Sequence, residues 1–192
     1  MKNKTKILTI CATLLLILAY IFPLWRIDLH APQYPEGIGL KIWINQITGK
    51  NPNDLRNING LNHYIGMKEI IPESIPELKI MPPLIGLMII LGIVAAVVGK
   101  KYLLYTWLIL MIFITSAGLI DFYLWEYDYG HNLNPKAAIK ISGMSYQPPL
   151  IGSKQLLNMR TSSWPDMGGW TLILSISLGM YAVWVEKRDK QS

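Results

Sequence analysis

The 192-residue sequence contains only one cysteine and three histidines. Cys11 has no second thiol with which to form an internal disulfide, and the sequence has no CxxC or CxxCH motif of redox or haem proteins. It also lacks an HExxH zinc motif, a glycine-rich phosphate loop and a nucleophile elbow. Without these motifs, the sequence does not resemble the familiar metalloproteases, nucleotide-binding proteins or serine hydrolases. These absences favour a protein that is not an enzyme.

Charge is also scarce, at 16% of residues, whereas hydrophobic residues make up 52%. Soluble domains usually carry about 25% charged residues. Four runs contain no charged residue at all: 7–25, 80–99, 102–120 and 167–185. Each run matches the ~20 apolar residues that a helix needs to cross the hydrocarbon core. The sequence therefore predicts an α-helical membrane protein with four transmembrane helices, in contact with lipid.

The first run is interpreted as an uncleaved anchor rather than as a signal peptide. Residues 1–6 are basic, as in a signal peptide, but the following sequence LAYIFPLWRID has no small-x-small cleavage pattern. The run is also longer than a usual signal-peptide core. Cys11 does not follow the small residues of a lipoprotein signal, so a lipid anchor is not predicted.

The basic residues orient the predicted helices. The tails 1–6 and 186–192 and the turn 100–101 account for the whole formal charge of +6. The loops 26–79 and 121–166 each carry equal numbers of basic and acidic residues. The positive-inside rule therefore predicts that both termini are cytoplasmic and that both loops face outward from a bacterial inner membrane. The basic pI reflects this topology and gives no support for nucleic-acid binding.

The two outward loops predict a small mixed α/β extracytoplasmic module. Over 38–45, isoleucine or leucine at every second position alternates with Gly39, Lys41, Trp43 and Asn45, which indicates a half-buried strand. From 54 to 70 they recur at helical spacing, which predicts a helix. In the second loop, 136–142 is a candidate strand and Ser153 a candidate N-cap of one helical turn. If the third membrane helix continues outward into 121–135, Asp121, Asp128 and His131 could approach one side of it, with Glu126 elsewhere.

All three histidines fall in the predicted outward loops. His63 and Met67 would share one face of the helix over 54–70, and imidazole with thioether favours copper, Cu(I) in particular. Asp128 and His131 are spaced i, i+3, and a carboxylate with an imidazole suits a divalent metal or an oriented histidine. The candidate metal ligands are therefore His63, Met67, Asp128 and His131, with copper as the candidate ion. Ordinary packing is the alternative for each.

Aromatic residues crowd the end of the third membrane helix: Phe122, Tyr123, Trp125, Tyr127 and Tyr129. Such a cluster is typical of the belt that a helix carries at headgroup depth. We expect Trp125 and Tyr129 at the lipid headgroups. The four apolar runs themselves carry no charge, which disfavours an ion path through this chain.

Three segments, APQYPEGIGLKIW, NGLNHYIGMK and DFYLWEYDYGHNLNP, together with four spans and two outward loops, resemble one family of proteins. These are the small integral membrane proteins encoded in second-clade bacterial nitrous-oxide-reductase gene clusters, beside copper-delivery and ABC-transporter genes. The resemblance covers most of the chain. It implies an accessory protein that supports nitrous oxide reductase by maturation, copper supply or docking. The implied partners are the reductase, a copper chaperone or the ABC transporter; no ligand set is implied.

Two other functions stay open from the sequence. One is a quinol-binding or electron-transfer component that uses the aromatic residues and His131 at the membrane surface. The other is a structural subunit of a larger membrane complex, in which the histidines do no chemistry. Metal analysis separates the copper function from the structural one, and cofactor spectra or quinol-dependent activity would identify the electron-transfer function.

Overall fold

The computed structural model describes residues 1–139, 141, 143–156 and 158–188. Its helices are α1 (Asn3–Leu15), prolonged by a 3₁₀ segment (Leu16–Tyr20), α2 (Asp54–Ile65), α3 (Glu77–Val98), α4 (Lys101–His131) and α5 (Met167–Arg188). The strands are β1 (Trp25–Ala31), β2 (Tyr34–Ile42), β3 (Ile47–Gly49), β4 (Gly152–Leu156) and β5 (Met159–Pro165). Four helices, α1 with its 3₁₀ extension, α3, α4 and α5, are long and apolar enough to cross a membrane. A separate antiparallel sheet accompanies them.

The apolar helices pack as a bundle around Trp107, which is 1% exposed. Its indole Nε1 donates to the carbonyl of Met88 at 2.9 Å, so the one polar atom of this side chain is satisfied. Gly92 and Gly179 face the indole and leave room for it. On the outside of the bundle large apolar side chains are exposed, as expected of a surface that contacts lipid.

Helix α1 packs on α5 through small hydroxyl residues. The buried Thr9 and Thr13 each donate to the carbonyl one turn earlier at 2.8 Å. Ser175 of α5 donates to the carbonyl of Ala12 at 2.7 Å. Because these hydroxyl groups find partners within the bundle, the two helices can approach closely without stranding a polar atom.

A buried ion pair closes the end of the bundle that is remote from the sheet. Glu186 is 2% exposed, and its carboxylate lies 2.6 Å from Lys101 Nζ. The same carboxylate accepts hydrogen bonds from the Thr5 hydroxyl and the Lys2 amide. The ends of α1, α4 and α5 are therefore tied together at this basic end, which carries Lys100, Lys101, Lys187 and Arg188.

The sheet is connected directly to the helix bundle. Its strand order is β3-β2-β1-β5-β4, with all neighbours antiparallel. β1 follows α1 closely and β5 leads into α5, so the central strand pair continues the packed pair α1 and α5. Trp25 pairs with Pro165 at the bundle side, and the pairing runs to His30 and Arg160.

One face of the sheet is covered by α2 and by the end of α4. Helix α4 has 31 residues and is about 46 Å long, which exceeds the ~30 Å hydrocarbon core. Its uncharged run ends at Ile120, and the remaining turns lie beside the sheet. Trp125 and Tyr129 pack on the buried cluster that includes Leu40 and Ile70. We call the five strands, α2 and α4 beyond Ile120 the sheet module.

One prediction of local structure is confirmed. A strand is present where alternation predicted one, although β2 begins earlier, at Tyr34, and ends earlier, at Ile42. Helix α4 continues beyond its uncharged run as far as His131. A helix does start at Asp54, but it ends at Ile65 rather than at 70. Gly66 stops it with a φ of +83°, and a Cβ here would meet Asn134.

Two further predictions about the second loop are wrong. Ser153 does not open a helical turn but lies in β4, where it pairs with Ser162. The candidate strand over 136–142 is turn and bend in its described part, while residues 140 and 142 lie outside the described residues. Strand β1 was not predicted from the sequence, although it begins at the end of the first apolar run.

Candidate functional site

The first pair of predicted metal ligands lies at a surface cleft. His63, on the last turn of α2, is exposed, and Met67 follows the helix end at Gly66. The two residues therefore do not share a helix face, but both line the same cleft. Arg56 and Glu69 line it too. The cleft thus combines an imidazole and a thioether with a charge of each sign.

The second pair lies on the last turns of α4. Asp128 forms an ion pair with Lys68 and accepts a hydrogen bond from Asn132. These hydrogen bonds, that from Lys68 above all, lower the pKa of the Asp128 carboxyl. The His131 ring stacks on Tyr127 at 4.0 Å and its Nδ1 bonds to the Tyr127 carbonyl at 3.0 Å.

Within the described residues, no three His, Cys, Asp or Glu side chains converge as a metal site. His63 and Met67 share the cleft. Asp128 contacts Lys68 and Asn132, and His131 contacts Tyr127. The assignment of all four residues as metal ligands stays a prediction.

A second and more enclosed site lies between the sheet, α2 and α4. This cavity has a volume of about 90 Å³. Aliphatic side chains of β1, β2 and α2 form much of its wall, with Trp125 and Tyr129 of α4 opposite. The thioethers of Met67 and Met159 also line it. Enclosed apolar pockets that hold a few polar groups are where proteins most often bind small ligands.

Glu126 is the unusual residue of this cavity. It is 1% exposed, and neither of its carboxyl oxygens has a hydrogen-bond partner. Burial raises the pKa of Glu126 to about 8, because a charge is poorly solvated among apolar neighbours. An unpartnered buried polar group costs roughly 1–3 kcal/mol. Such a cost commonly accompanies a functional site.

Tyr146 supplies the second unpartnered polar atom. It is 3% exposed, lines the same cavity, and its hydroxyl has no partner. Its backbone amide donates to the carbonyl of Gly130 at 2.9 Å. Because Gly130 has no side chain, Gln147 can lie directly against the helix at this point. This close approach fixes Tyr146 over the cavity.

The arrangement can bind a polar or positively charged group within an apolar surrounding. A neutral Glu126 can donate one hydrogen bond and accept others, and a bound positive charge would favour its ionised form. The described lining contains no histidine, cysteine or second carboxylate, and no nucleophile with an adjacent base. The geometry therefore suits binding better than acid–base or nucleophilic catalysis.

The sequence interpretation missed Glu126 and Tyr146. It grouped Asp121, Asp128 and His131 on one side of the helix and set Glu126 apart. One signal was available: Glu126 shares a helix face with Phe122, Tyr129 and Gly130, so no basic residue stands at i±3 or i±4 to pair with it. Nothing in the sequence indicates that Tyr146 is buried.

The aromatic residues around Glu126 divide between two surroundings. The rings of Trp125 and Tyr129 lie 4.3 Å apart, tilted by 33°, and pack into the sheet module. Their position at the lipid headgroups stays a prediction. Tyr123 and Tyr127 are exposed. Phe122 contacts Trp25 edge-on at 5.6 Å, at the junction of sheet and bundle.

Comparisons with known proteins do not assign the chain to a family. No protein-family model matches the chain, and no curated protein matches it. A nitrous-oxide-reductase context accordingly rests on the resemblance of three sequence segments.

Proposed function

We propose that the chain is a non-enzymatic accessory protein of the bacterial inner membrane, which supports nitrous oxide reductase from the outer face. In this proposal the helix bundle is an anchor and the sheet module is the working part. The module would take part in maturation, copper supply or docking, with the reductase, a copper chaperone or an ABC transporter as its partner. Both termini would be cytoplasmic.

One observation carries the proposal: the three segments that bear the resemblance meet in the sheet module. The first contributes β2, the second ends α2, and the third forms the last turns of α4. Lys68 of the second contacts Asp128 of the third, and Trp125 of the third packs near Leu40 of the first. Sequence features that are far apart in the chain thus build a single surface, which supports one shared function for them.

The arrangement of the bundle supports the role of an anchor. The bundle is filled by Trp107 and its neighbours, and its polar side chains bond to each other or to backbone carbonyls. Its described part presents apolar side chains outward, compatible with lipid contact. The cavity around Glu126 and the cleft that contains His63 both lie outside this bundle, at the sheet module.

Deleting the chain in a bacterium that encodes it, together with a nitrous oxide reductase, tests the proposal. We expect whole-cell nitrous oxide reduction to be lost, and to return when the full chain is supplied. The copper content of the purified reductase then distinguishes the roles. A reductase with low copper content would support a role in maturation or copper supply. A reductase with normal copper content, from cells that do not reduce nitrous oxide, would support docking or the alternative function in electron transfer. Undiminished nitrous oxide reduction in the deletion strain would contradict the proposal.

A further inference from the structure

The cavity around Glu126 is too small for most organic ligands. Its volume is about 90 Å³, whereas an engineered cavity of about 150 Å³ holds a single benzene ring. A quinol head group carries a ring and oxygen substituents, so it does not fit without displacing the walls. A single ion or a few water molecules do fit. The size of the cavity therefore selects a small occupant.

The charge of the cavity selects a monovalent cation. Glu126 is the one carboxylate among the described lining residues. When ionised, it balances one positive charge, whereas a divalent ion would leave a net charge in an apolar surrounding. Ca²⁺ and Mg²⁺ also require about six oxygen ligands, far more than this lining offers.

The ligand atoms select a soft ion. Met67 and Met159 both line the cavity, and the thioether sulfur of methionine favours Cu(I) over hard cations. Met159 is buried, which suits a ligand for a desolvated ion. The unpartnered Glu126 carboxyl is the independent sign that the cavity is arranged for an occupant.

We propose that this cavity binds one soft monovalent cation, Cu(I), with Met67 and Met159 as thioether ligands and Glu126 as the balancing carboxylate. The proposal rests on the copper-supply form of the function proposed above. Met67 lines both the cavity and the surface cleft that contains His63. An ion could therefore pass from the imidazole in the cleft to the thioethers within, which gives His63 the role of an entry ligand.

The test is a competition titration of the purified full chain in detergent with Ag⁺, a redox-inert probe for Cu(I), in chloride-free buffer. The exposed thiol of Cys11 would itself bind Ag⁺, so every protein carries Cys11→Ala. We expect one Ag⁺ per chain. In the double variant Met67→Leu, Met159→Leu the affinity should fall by more than the roughly 10–100-fold that loss of an outer-shell partner costs. In Glu126→Gln it should fall within that range.

Met180→Leu is the matched control, because Met180 is exposed on α5. Methionine-to-leucine changes nearly conserve volume, and thermal unfolding without Ag⁺ checks that each variant is folded. Equal affinity in the wild type and the double variant, an equal loss in the control, or the absence of stoichiometric binding would each overturn the proposal. An adventitious ion or water alone would then occupy the cavity.

Failure of this inference can be separated from failure of the proposed function. Specific Ag⁺ binding together with normal nitrous oxide reduction in the deletion strain would leave the site standing and remove the function. Lost nitrous oxide reduction together with no Ag⁺ binding would leave the function standing and remove the site.

Discussion

At the scale of residues, Glu126 is the side chain whose environment most opposes its usual charge. Its carboxyl is buried without a partner on the inner side of α4, while Asp128, two residues later, is half-buried and paired with Lys68. The raised pKa of Glu126 and the lowered pKa of Asp128 follow from these surroundings. Two carboxyl groups would therefore differ in charge state on the two sides of one helix at neutral pH.

The substitution Glu126→Gln tests the environment of this carboxyl through stability. The pKa of Glu126 is about 8 in the folded protein, and its reference value is 4.5. The protein without a bound ion is therefore most stable with respect to this group below pH 4.5, and part of its free energy of unfolding is lost as the pH rises to about 8. The loss is on the order of 3 kcal/mol at pH 7. In detergent, the unfolding temperature of Glu126→Gln should rise relative to that of the wild type between pH 4.5 and pH 8. The variant Glu36→Gln, at an exposed position, should show no such relative rise. A constant difference between Glu126→Gln and the wild type would contradict the argument.

The predicted metal ligands His63 and His131 are tested by alanine substitution. Both side chains are exposed, and changes at such surface positions usually alter stability by no more than about 0.5 kcal/mol. We expect normal membrane abundance of both variants, measured by immunoblot. A ligand role predicts lost copper binding or lost nitrous oxide reduction at that normal abundance. Abundance that falls in step with activity would indicate a structural role instead.

The candidate site could be predicted from the sequence only in part. His63, Met67 and Asp128 were identifiable because their residue types and local spacing suit metal binding. The cavity was not, because it forms only when α2, α4 and the segment around Tyr146 meet on the sheet. Met67 and Met159 are 92 residues apart in the chain, so no local pattern connects them.

At the scale of elements, the helices followed from composition and the strands did not. Long uncharged runs are specific to apolar helices, so four helices could be predicted. In β1, Ile27 and Leu29 alternate with polar residues, but only residues 21–24 separate the strand from the first helix, and these residues belong to the same apolar run. In β5 the buried positions include Thr161 and Ser163, so its inward face shows no hydrophobic alternation.

The close packing of α1 against α3 predicts a specific sensitivity at Gly92. A Cβ at this position would meet the side chain of Thr13, and it would lie 2.9 Å from Trp107 Nε1. Gly92→Ala should therefore lower the free energy of unfolding by about 1–3 kcal/mol, the usual cost of overpacking. Thermal or denaturant unfolding in detergent measures it.

Gly118→Ala is the matched control, because a Cβ at Gly118 of α4 would meet nothing within 4 Å. This variant should be as stable as the wild type or slightly more so, since alanine favours a helix by up to ~1 kcal/mol relative to glycine. Equal losses in the two variants would show that the contact between Gly92 and Thr13 does not limit the packing of the bundle.

At the scale of the whole molecule, the two ends of the bundle differ in chemistry. The loops 26–79 and 121–166, which form the sheet end, are electrically balanced, whereas the opposite end concentrates lysine and arginine. At that end Lys187 lies 5.9 Å from the ring of Tyr105, and Arg188 lies 5.1 Å from that of Trp184. Paired cationic and aromatic side chains are typical of the headgroup region. The molecule therefore concentrates its excess of basic residues at one end.

This asymmetry predicts the orientation of the chain in the membrane. By the positive-inside rule, basic residues stay on the cytoplasmic side of the membrane. We therefore expect Lys100 on the cytoplasmic side and the sheet module, with Asn51 and Asn158, on the outer side. In a Cys11→Ala background, the single variants Asn51→Cys and Asn158→Cys should react with an impermeant maleimide in intact spheroplasts. Lys100→Cys should react only after lysis, which also serves as the control for its accessibility. Labelling of Lys100→Cys before lysis would reverse the orientation and place the Glu126 cavity in the cytoplasm, away from any outward-facing reductase.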